Sequence, residues 1–300
     1  MEIEVIGMAL NLGANKLGVE NGYKVLEEKL NFKQIFSDKN VISSCISSPS
    51  FESIKNTDSL MKNKDEIFEA NTKLADKVYT SLKNGKFPLI VGGDHALSWG
   101  SISGVTKHNP NIGCIYIDAH GDFNLAEVSP SHNVHGMHMA YLMGLADSPL
   151  NDWYEEGIKL NKRNVFFIGT RSLDTGEIVL AKKHNLNIQT SNDIRINGIK
   201  EETTKLLSLI EKSGLENFHI SLDIDVIDPT KAPGTGVPEK DGITVEDVEC
   251  LIKKIFENKN IISMDFVEFN PLLDKNNETL NVCKRILETL NKEIKIPTSC

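Results

Sequence analysis

The chain has few cysteines, and their spacing matches neither a disulfide framework nor a zinc site. Its 300 residues contain five cysteines, and no two of them form a C-x-x-C pair. An odd, dispersed set of this kind is typical of reduced thiols in a cytosolic protein. We therefore expect a cytoplasmic location.

The sequence also lacks long apolar runs and an excess of positive charge. No stretch approaches the roughly 20 apolar residues that a membrane-spanning helix requires. The N-terminal segment, MEIEVIGMAL, is acidic where an export signal would be basic. The 33 Lys and Arg residues are outnumbered by 42 Asp and Glu residues, which gives a net charge of −9. These features argue against a membrane protein, a secreted protein and a nucleic-acid-binding protein.

What the sequence does contain is a regular alternation of short apolar runs and helical patterns. Seven runs are candidate strands, and they cover residues 3–8, 87–93, 112–118, 164–169, 186–190, 218–224 and 261–269. Helical spacing between Ile67 and Leu82, and the pair Thr244 and Asp247, are typical of helices between such strands. The alternation predicts a parallel sheet covered by helices, either open or closed into a barrel.

Three segments are predicted to lie outside these elements. Residues 43–65 are rich in Ser, Asn and Lys and are expected to form a surface excursion. Residues 124–134 and 228–243 form two long loops, and loops of this length in a compact domain are often functional.

Acidic and imidazole side chains follow three of the candidate strands. They are Asp94 and His95 after the second run, Asp118, His120 and Asp122 after the third, and Asp223 and Asp225 after the sixth. Ligands of parallel α/β folds bind at the carboxyl ends of the strands, so these side chains are expected to converge. Asp94 precedes a helical pattern and is either a helix cap or a supporting residue of the site.

The run from Asp118 through His120 to Asp122 is the hardest to explain without a metal. Alternate residues of a strand point to the same side, so these three would share one face of a buried strand. Buried charges left unpaired cost several kcal/mol each, and a bound cation would offset that cost. The spread from residue 118 to residue 122 favours two ions about 3.5–4 Å apart. Carboxylates with some imidazole favour Mn²⁺, although Fe²⁺, Co²⁺ and Zn²⁺ are compatible.

Three blocks in this order identify a family. GGDH (92–95), DAHGDFN (118–124) and SLDIDVIDP (221–229) resemble the signature blocks of the ureohydrolases, the arginase–agmatinase family. Residues 6–23 and 267–271 are similar to the family's opening strand and last strand. The resemblance implies a single α/β/α domain over residues 1–300 with an open, mainly parallel, eight-stranded sheet, which excludes the barrel. It also implies a homo-oligomer, either a trimer or a hexamer.

By this resemblance, two Mn²⁺ ions per chain are bound by six side chains. One ion would be held by His95, Asp118, Asp122 and Asp223, and the other by His120, Asp118, Asp223 and Asp225, so that Asp118 and Asp223 bridge. Glu268 matches the family's guanidinium-binding carboxylate and His135 its proton-shuttling imidazole, while Asp122 would relay a proton to the leaving amine. The implied reaction is attack of a metal-bridging hydroxide on a guanidinium carbon, which yields urea and an amine.

The resemblance favours L-arginine over agmatine as the substrate. Asn124, Ser131 and Asn133 match positions that arginases use for the α-carboxylate, and Asp174 and Glu177 match contacts to the α-amino group. The loop SPSHNVHGM resembles that of arginases rather than the shorter loop of agmatinases. Two alternatives stay open: an agmatinase or another guanidino or formimino hydrolase of the family, and a catalytically idle member with a binding role.

Two residues depart from the arginase pattern. His132 stands where arginases usually have Gly, and Val237 stands where they usually have Thr. Gly often marks backbone freedom, and loss of one hydroxyl contact is worth about 1 kcal/mol. We expect weaker substrate binding than in a typical arginase, without loss of the chemistry.

Overall fold

The computed structural model describes residues 2–49 and 60–295, and these residues contain one open sheet of eight strands. The strands are β1 (Glu2–Ala9), β2 (Asn40–Ser47), β3 (Phe87–Val91), β4 (Gly113–Ile117), β5 (Val165–Thr170), β6 (Asn187–Thr190), β7 (Asn217–Asp223) and β8 (Asn260–Val267). Their order across the sheet is β2-β1-β3-β8-β7-β4-β5-β6, and every neighbouring pair is parallel. The expected fold class is confirmed.

Helices cover both faces of the sheet and complete three layers. They are α1 (Gly22–Leu30), α2 (Phe32–Ile35), α3 (Lys64–Lys83), α4 (Ser98–His108), α5 (His138–Leu142), α6 (Thr175–His184), α7 (Ser191–Asn197), α8 (Ile199–Ser213), α9 (Val245–Asn258) and α10 (Glu278–Glu293). Buried residues of α1, α2 and α7 to α10 join the core on one face, and those of α3 to α6 join the core on the other. No helix of the described residues is both long and apolar enough to span a membrane.

The central strands are apolar on both sides because each side faces a helical layer. Along β4, Ile115 and Ile117 belong to one core, whereas Cys114 and Tyr116 belong to the other. All four are fully buried. This is the pattern that a parallel sheet between two helical layers requires, and it is why the run reads as continuously apolar.

One strand was not predicted. Part of the segment interpreted as a surface excursion, residues 43–47, belongs to β2, and the rest of that segment includes residues 50–59, which lie outside the described residues. Within residues 2–49 and 60–295, β2 is an edge strand that pairs with β1 alone, and most of its residues are partly or fully exposed. Because the strand lies at an edge and is largely exposed, its sequence is polar enough to resemble a loop.

The expectation that Asp118, His120 and Asp122 share one face of a strand is wrong. β4 ends at Ile117, and Asp122 adopts a positive φ of 55°. The backbone N–H of His120 donates to Asp118 Oδ1 instead of continuing the strand ladder. The chain therefore curls, and this curl brings the two carboxylates together.

The sheet order places the acidic strand ends side by side. β3, β8, β7 and β4 are adjacent, and their carboxyl ends carry His95, Glu268, Asp223 and Asp118, respectively. Residues that are far apart in the sequence therefore meet at one edge of the sheet, which is where ligands of open α/β folds bind.

Candidate metal centre

Three carboxylates surround His95 just beyond the end of β3. Its Nδ1 lies 2.9 Å from Asp118 Oδ2, 3.2 Å from Asp122 Oδ2 and 3.2 Å from Asp223 Oδ2. All four residues are buried. Oxygen and nitrogen donors that converge on one buried point are the ligands that a cation such as Mn²⁺ accepts.

A second group of donors adjoins the first. His120 Nδ1 lies 3.0 Å from Asp225 Oδ2 and 3.4 Å from Asp118 Oδ1. Asp118 therefore faces one group with each of its two oxygens. Asp223 faces His95 with Oδ2, while its Oδ1 accepts from the backbone N–H of Asp225 at 2.8 Å. The fold brings all six predicted ligands into one buried cluster.

The cluster fits metal binding on chemical grounds. Donor atoms of His95, Asp118 and Asp223, and those of Asp118, His120 and Asp225, lie within 4.8 Å of one another in each group. Asp118 Oδ2 is buried and accepts no hydrogen bond from residues 2–49 or 60–295. Burial and the neighbouring carboxylates raise the pKa of Asp223 well above its usual range. Divalent cations would offset the negative charge of these carboxylates and use the unpaired oxygen.

Glu268 and His135 form an acid–imidazole pair beside the cluster. Glu268 Oε1 accepts from the backbone N–H of His95 at 2.9 Å and lies 3.2 Å from His135 Nδ1. Glu268 is 4% exposed and has a φ of 64°, so its carboxylate is held by an uncommon backbone conformation. Burial disfavours the charged form of His135, but the hydrogen bond and charge of Glu268 outweigh it and raise the pKa of His135 to about 9.

Asp94 is a cap rather than a member of the cluster. Its Oδ1 accepts from the backbone N–H of Ala96 at 3.0 Å, and its Oδ2 accepts from that of Gly13 at 2.9 Å. Asp94 thus fixes the turn that presents His95 and ties it to the loop after β1.

A cavity of about 260 Å³ lies over the cluster, and its wall is acidic. Its lining includes Asp122, Asp174, Glu177, Glu239 and Glu268. Among residues 2–49 and 60–295, no lysine or arginine lines this cavity. A cavity with this charge suits a ligand that carries a cationic group.

The five predicted substrate contacts are divided between two neighbouring cavities. Asn124, Ser131, Asp174 and Glu177 line the cavity over the cluster. Asn133 instead lines an adjoining cavity of about 270 Å³, which shares His135, Val237 and Glu268 with the first.

The predicted contacts also bond to one another. Asn124 Nδ2 donates to Asp174 Oδ2 at 2.8 Å, whereas Asn124 Oδ1 is buried and has no hydrogen-bond partner in the described part of the chain. Glu177 Oε2 accepts from the backbone N–H of Asp174 at 2.8 Å, and its Oε1 accepts from that of Phe123 at 3.0 Å. Glu177 therefore joins the start of α6 to the loop that carries the metal ligands. Burial raises its pKa to about 8.

Sequence reasoning missed Tyr116 and His138. The Tyr116 hydroxyl donates to Asp122 Oδ2 at 2.6 Å and lies 3.1 Å from His138 Nε2. Burial lowers the pKa of His138 to about 4, so this imidazole is neutral. The signal for Tyr116 was its place two residues before Asp118, on the same side of β4. Because Tyr116 lies inside an apolar run, the sequence pattern alone did not distinguish it from the core residues beside it.

Arg171 was also missed, although it begins the segment that contains Asp174 and Glu177. Its guanidinium donates to the backbone carbonyls of Asp225, Val226, Glu239 and Lys240 at 2.7–3.1 Å. It thereby joins the two ends of the long loop 228–243. The available signal was chemical, because an arginine in a site loop needs several acceptors.

Comparison with known proteins gives one consistent result. A family model described as the Arginase family matches residues 1–291. The arginase of Staphylococcus aureus (strain MRSA252) is 37% identical over 283 residues, which are 92% of each chain. The arginase of Bacillus subtilis (strain 168) is 35% identical over 96% of this chain and 97% of its own. The crystal structure of arginase from Bacillus caldovelox matches with a TM-score of 0.90 at 32% identity, covering 98% of this chain and 99% of that chain.

Proposed function

This chain belongs to the arginase family, and from that premise we propose that it hydrolyses L-arginine to L-ornithine and urea with two Mn²⁺ ions. Membership makes it a hydrolase of C–N bonds in amidines. The observation that carries the finer proposal is the position of Asp118, whose two oxygens face the two groups of donors. The direct test is release of urea from L-arginine by the Mn²⁺-loaded protein.

The ions would be held as the sequence predicts. His95 and Asp122 would serve the first ion, His120 and Asp225 the second, and Asp118 with Asp223 both. When bound, the two cations act as Lewis acids that acidify water near neutral pH and offset developing negative charge.

Residues of the chain itself would bind the guanidinium and move protons. Glu268, buried beside His135, accepts hydrogen bonds from the guanidinium N–H groups and fixes the carbon to be attacked. That carbon gains an oxygen from water as its bond to the side-chain nitrogen breaks. Asp122 passes a proton to the leaving amine, and its carboxylate is oriented by the Tyr116 hydroxyl. The His135 side chain is 18% exposed and exchanges protons with solvent.

One observation favours agmatinase as the second candidate. The cavity has an acidic wall without a lining lysine or arginine among the described residues, and Glu239 adds a carboxylate at the mouth. A dication such as agmatine would suit this field. Two observations favour arginase: 35–37% identity with arginases over more than nine-tenths of the chain, and the polar lining residues Asn124 and Ser131. The complete set of metal ligands argues against an idle family member.

The pH dependence of kcat is expected to report on His135. A shuttle must be neutral to take up a proton, and the pair with Glu268 places the pKa of His135 at about 9. The neutral fraction therefore grows steeply as the pH rises from 7 to 9, and we expect kcat for L-arginine to rise about tenfold or more over this range. Under conditions where chemistry limits the rate, His135→Asn should lower kcat and flatten this rise. A wild-type kcat that is constant from pH 7 to 9 would show that His135 does not act as a proton shuttle in the reaction.

The two departures from the arginase pattern are expected to act differently. Val237 is 40% exposed and lines the cavity, so Val237→Thr adds a hydroxyl where the substrate lies. One new hydrogen bond of about 1 kcal/mol should lower KM for L-arginine about fivefold. His132 has a φ of 56° and lines neither cavity, so His132→Gly should relax the backbone and raise Tm, with KM unchanged. An unchanged KM in Val237→Thr would mean that position 237 does not contact the substrate.

We further propose that residues 1–300 form a single domain, that the chain assembles as a trimer or hexamer, and that it works in the cytoplasm. The one sheet formed by all eight described strands supports the first point. The four described cysteines carry free thiols, which supports a reducing compartment.

A further inference from the structure

Asp265 is a buried carboxylate that the proposed reaction does not use. It lies on β8, is 0% exposed, and accepts through Oδ2 from Ser98 Oγ at 2.7 Å and Ser101 Oγ at 2.6 Å. His219 Nε2 lies 3.2 Å from the same oxygen. Burial opposes ionisation of Asp265, but His219 and the two serine hydroxyls hold its pKa below the usual range. Asp265 is therefore a charged acceptor inside the core.

A chain of hydroxyl groups connects this carboxylate to His95. Ser98 Oγ lies 3.3 Å from Ser221 Oγ, and Ser221 Oγ lies 2.8 Å from His95 Nε2. Every member of the chain is at most 1% exposed. Ser221 therefore contacts Nε2 of His95, whereas Asp118, Asp122 and Asp223 lie around Nδ1 on the other side of the ring.

The chemistry of the groups fixes which of them donates in each hydrogen bond between His95 and Asp265. An ionised carboxylate can only accept, so Ser98 donates its one hydroxyl proton to Asp265 and accepts from Ser221. Ser221 has then used its own proton and can only accept from His95, whose Nε2 must carry hydrogen. When His95 is neutral, this is its only ring proton, so Nδ1, which lies among the three carboxylates, keeps its lone pair. A neutral imidazole with a free lone pair is the form that binds a metal ion.

We propose that Asp265, acting through Ser98 and Ser221, is a positioning residue that holds His95 in the Nε2–H tautomer and thereby strengthens cation binding at Nδ1. This inference rests on the proposed metal-binding role of His95. Hydrogen-bond acceptors behind metal-binding histidines fix the ring and its tautomer, and their loss costs about 10- to 100-fold in metal affinity or activity. Here two hydroxyl groups, those of Ser98 and Ser221, separate the ionised carboxylate of Asp265 from His95.

Ser98→Ala breaks the chain by removing one oxygen atom. Asp265 keeps its contacts with Ser101 and His219, whereas Ser221 loses its acceptor and becomes free to donate to His95 Nε2. Calorimetric titration of Mn²⁺ into the metal-free, full-length variant should give a Kd about tenfold weaker than in the wild type. Asp265→Asn should weaken binding at least as much, because the amide can donate and so reverse the chain. The Tm of metal-free Ser98→Ala should stay near the wild-type value.

Ser103→Ala is the matched control. Ser103 lies on the same helix, α4, is 0% exposed, and has no hydrogen-bond partner for Oγ within the described part of the chain. Its loss should leave the Kd for Mn²⁺ unchanged. Wild-type affinity in both Ser98→Ala and Asp265→Asn would overturn the proposal, and so would an equal loss in Ser103→Ala.

The Mn²⁺ titration tests the positioning role and the urea assay tests the proposed function, so either proposal can be contradicted without the other. If the wild type and the variants bind Mn²⁺ in the expected order but release no urea from L-arginine, the proposed function falls and the positioning role stands. If urea is released and the affinities do not differ, the positioning role falls and the proposed function stands.

Discussion

Asp118→Asn should lower kcat for L-arginine at least about 100-fold, since loss of a ligand should cost no less than loss of a group behind a ligand. Asp118 is the residue whose oxygens face both groups of donors, at 2.9 Å from His95 Nδ1 and 3.4 Å from His120 Nδ1. Asparagine has the same size but offers one oxygen and no charge. Both ions should therefore be held more weakly, and the purified variant should contain fewer than two Mn²⁺ ions per chain.

The fold should survive this substitution. The amide oxygen of asparagine can still accept from the backbone N–H of His120, which is the bond that turns the chain after β4. Asp147→Asn is a suitable control because Asp147 is exposed and distant in sequence from every proposed ligand. Metal analysis and steady-state kinetics on the wild type and both variants give the answer. An active wild type with one ion or fewer per chain would contradict the two-metal account, as would full activity in Asp118→Asn.

The sheet could be predicted where the chain is buried on both sides. Residues 112–118 form a continuous apolar run because β4 lies between two helical layers, and the observed strand, Gly113–Ile117, falls within it. β2 was missed for the opposite reason. It lies at the sheet edge, where half of its eight residues are Ser or Asn and leave too few apolar residues to mark a strand.

The site was predictable to the extent that its residues lie in short blocks. Asp118 and Asp223 each come directly after apolar residues, and His95 follows an apolar run after a short turn, so the sequence places them at or near strand ends. The turn at Asp122 was not predictable, because it depends on a positive φ and on the Tyr116 hydroxyl. The link from Asp265 to His95 was also not predictable, because it requires three strands and a helix to be adjacent.

The second large effect expected is selection of L-arginine over agmatine by about 30-fold or more. The two compounds differ in the α-carboxylate, which only arginine carries. Ser131 Oγ accepts from the backbone N–H of Asn133 and keeps its own proton for an acceptor in the cavity. Asn124 is buried and uses one of its two N–H groups on Asp174, and the other has no partner among the described residues. With agmatine this buried donor would stay unpaired, at a cost of about 2 kcal/mol, whereas the exposed Ser131 hydroxyl would be hydrated.

The carboxylate of Glu239 favours agmatine over L-arginine, but its effect on the selectivity is the smaller one. Its side chain is 38% exposed, and water screens it, so its preference for a dication is worth at most about 1 kcal/mol. The buried Asn124 donor therefore decides the selectivity. Glu239→Gln should improve L-arginine relative to agmatine by a few-fold at most.

The central claim, that this site hydrolyses L-arginine, is tested most directly by kcat/KM for urea release from L-arginine and from agmatine with the same Mn²⁺-loaded protein. We predict that L-arginine is the better substrate by about 30-fold or more, in line with the cost of leaving the buried Asn124 donor unpaired. Agmatine equal to L-arginine or better would contradict the claim and leave only membership of the arginase family.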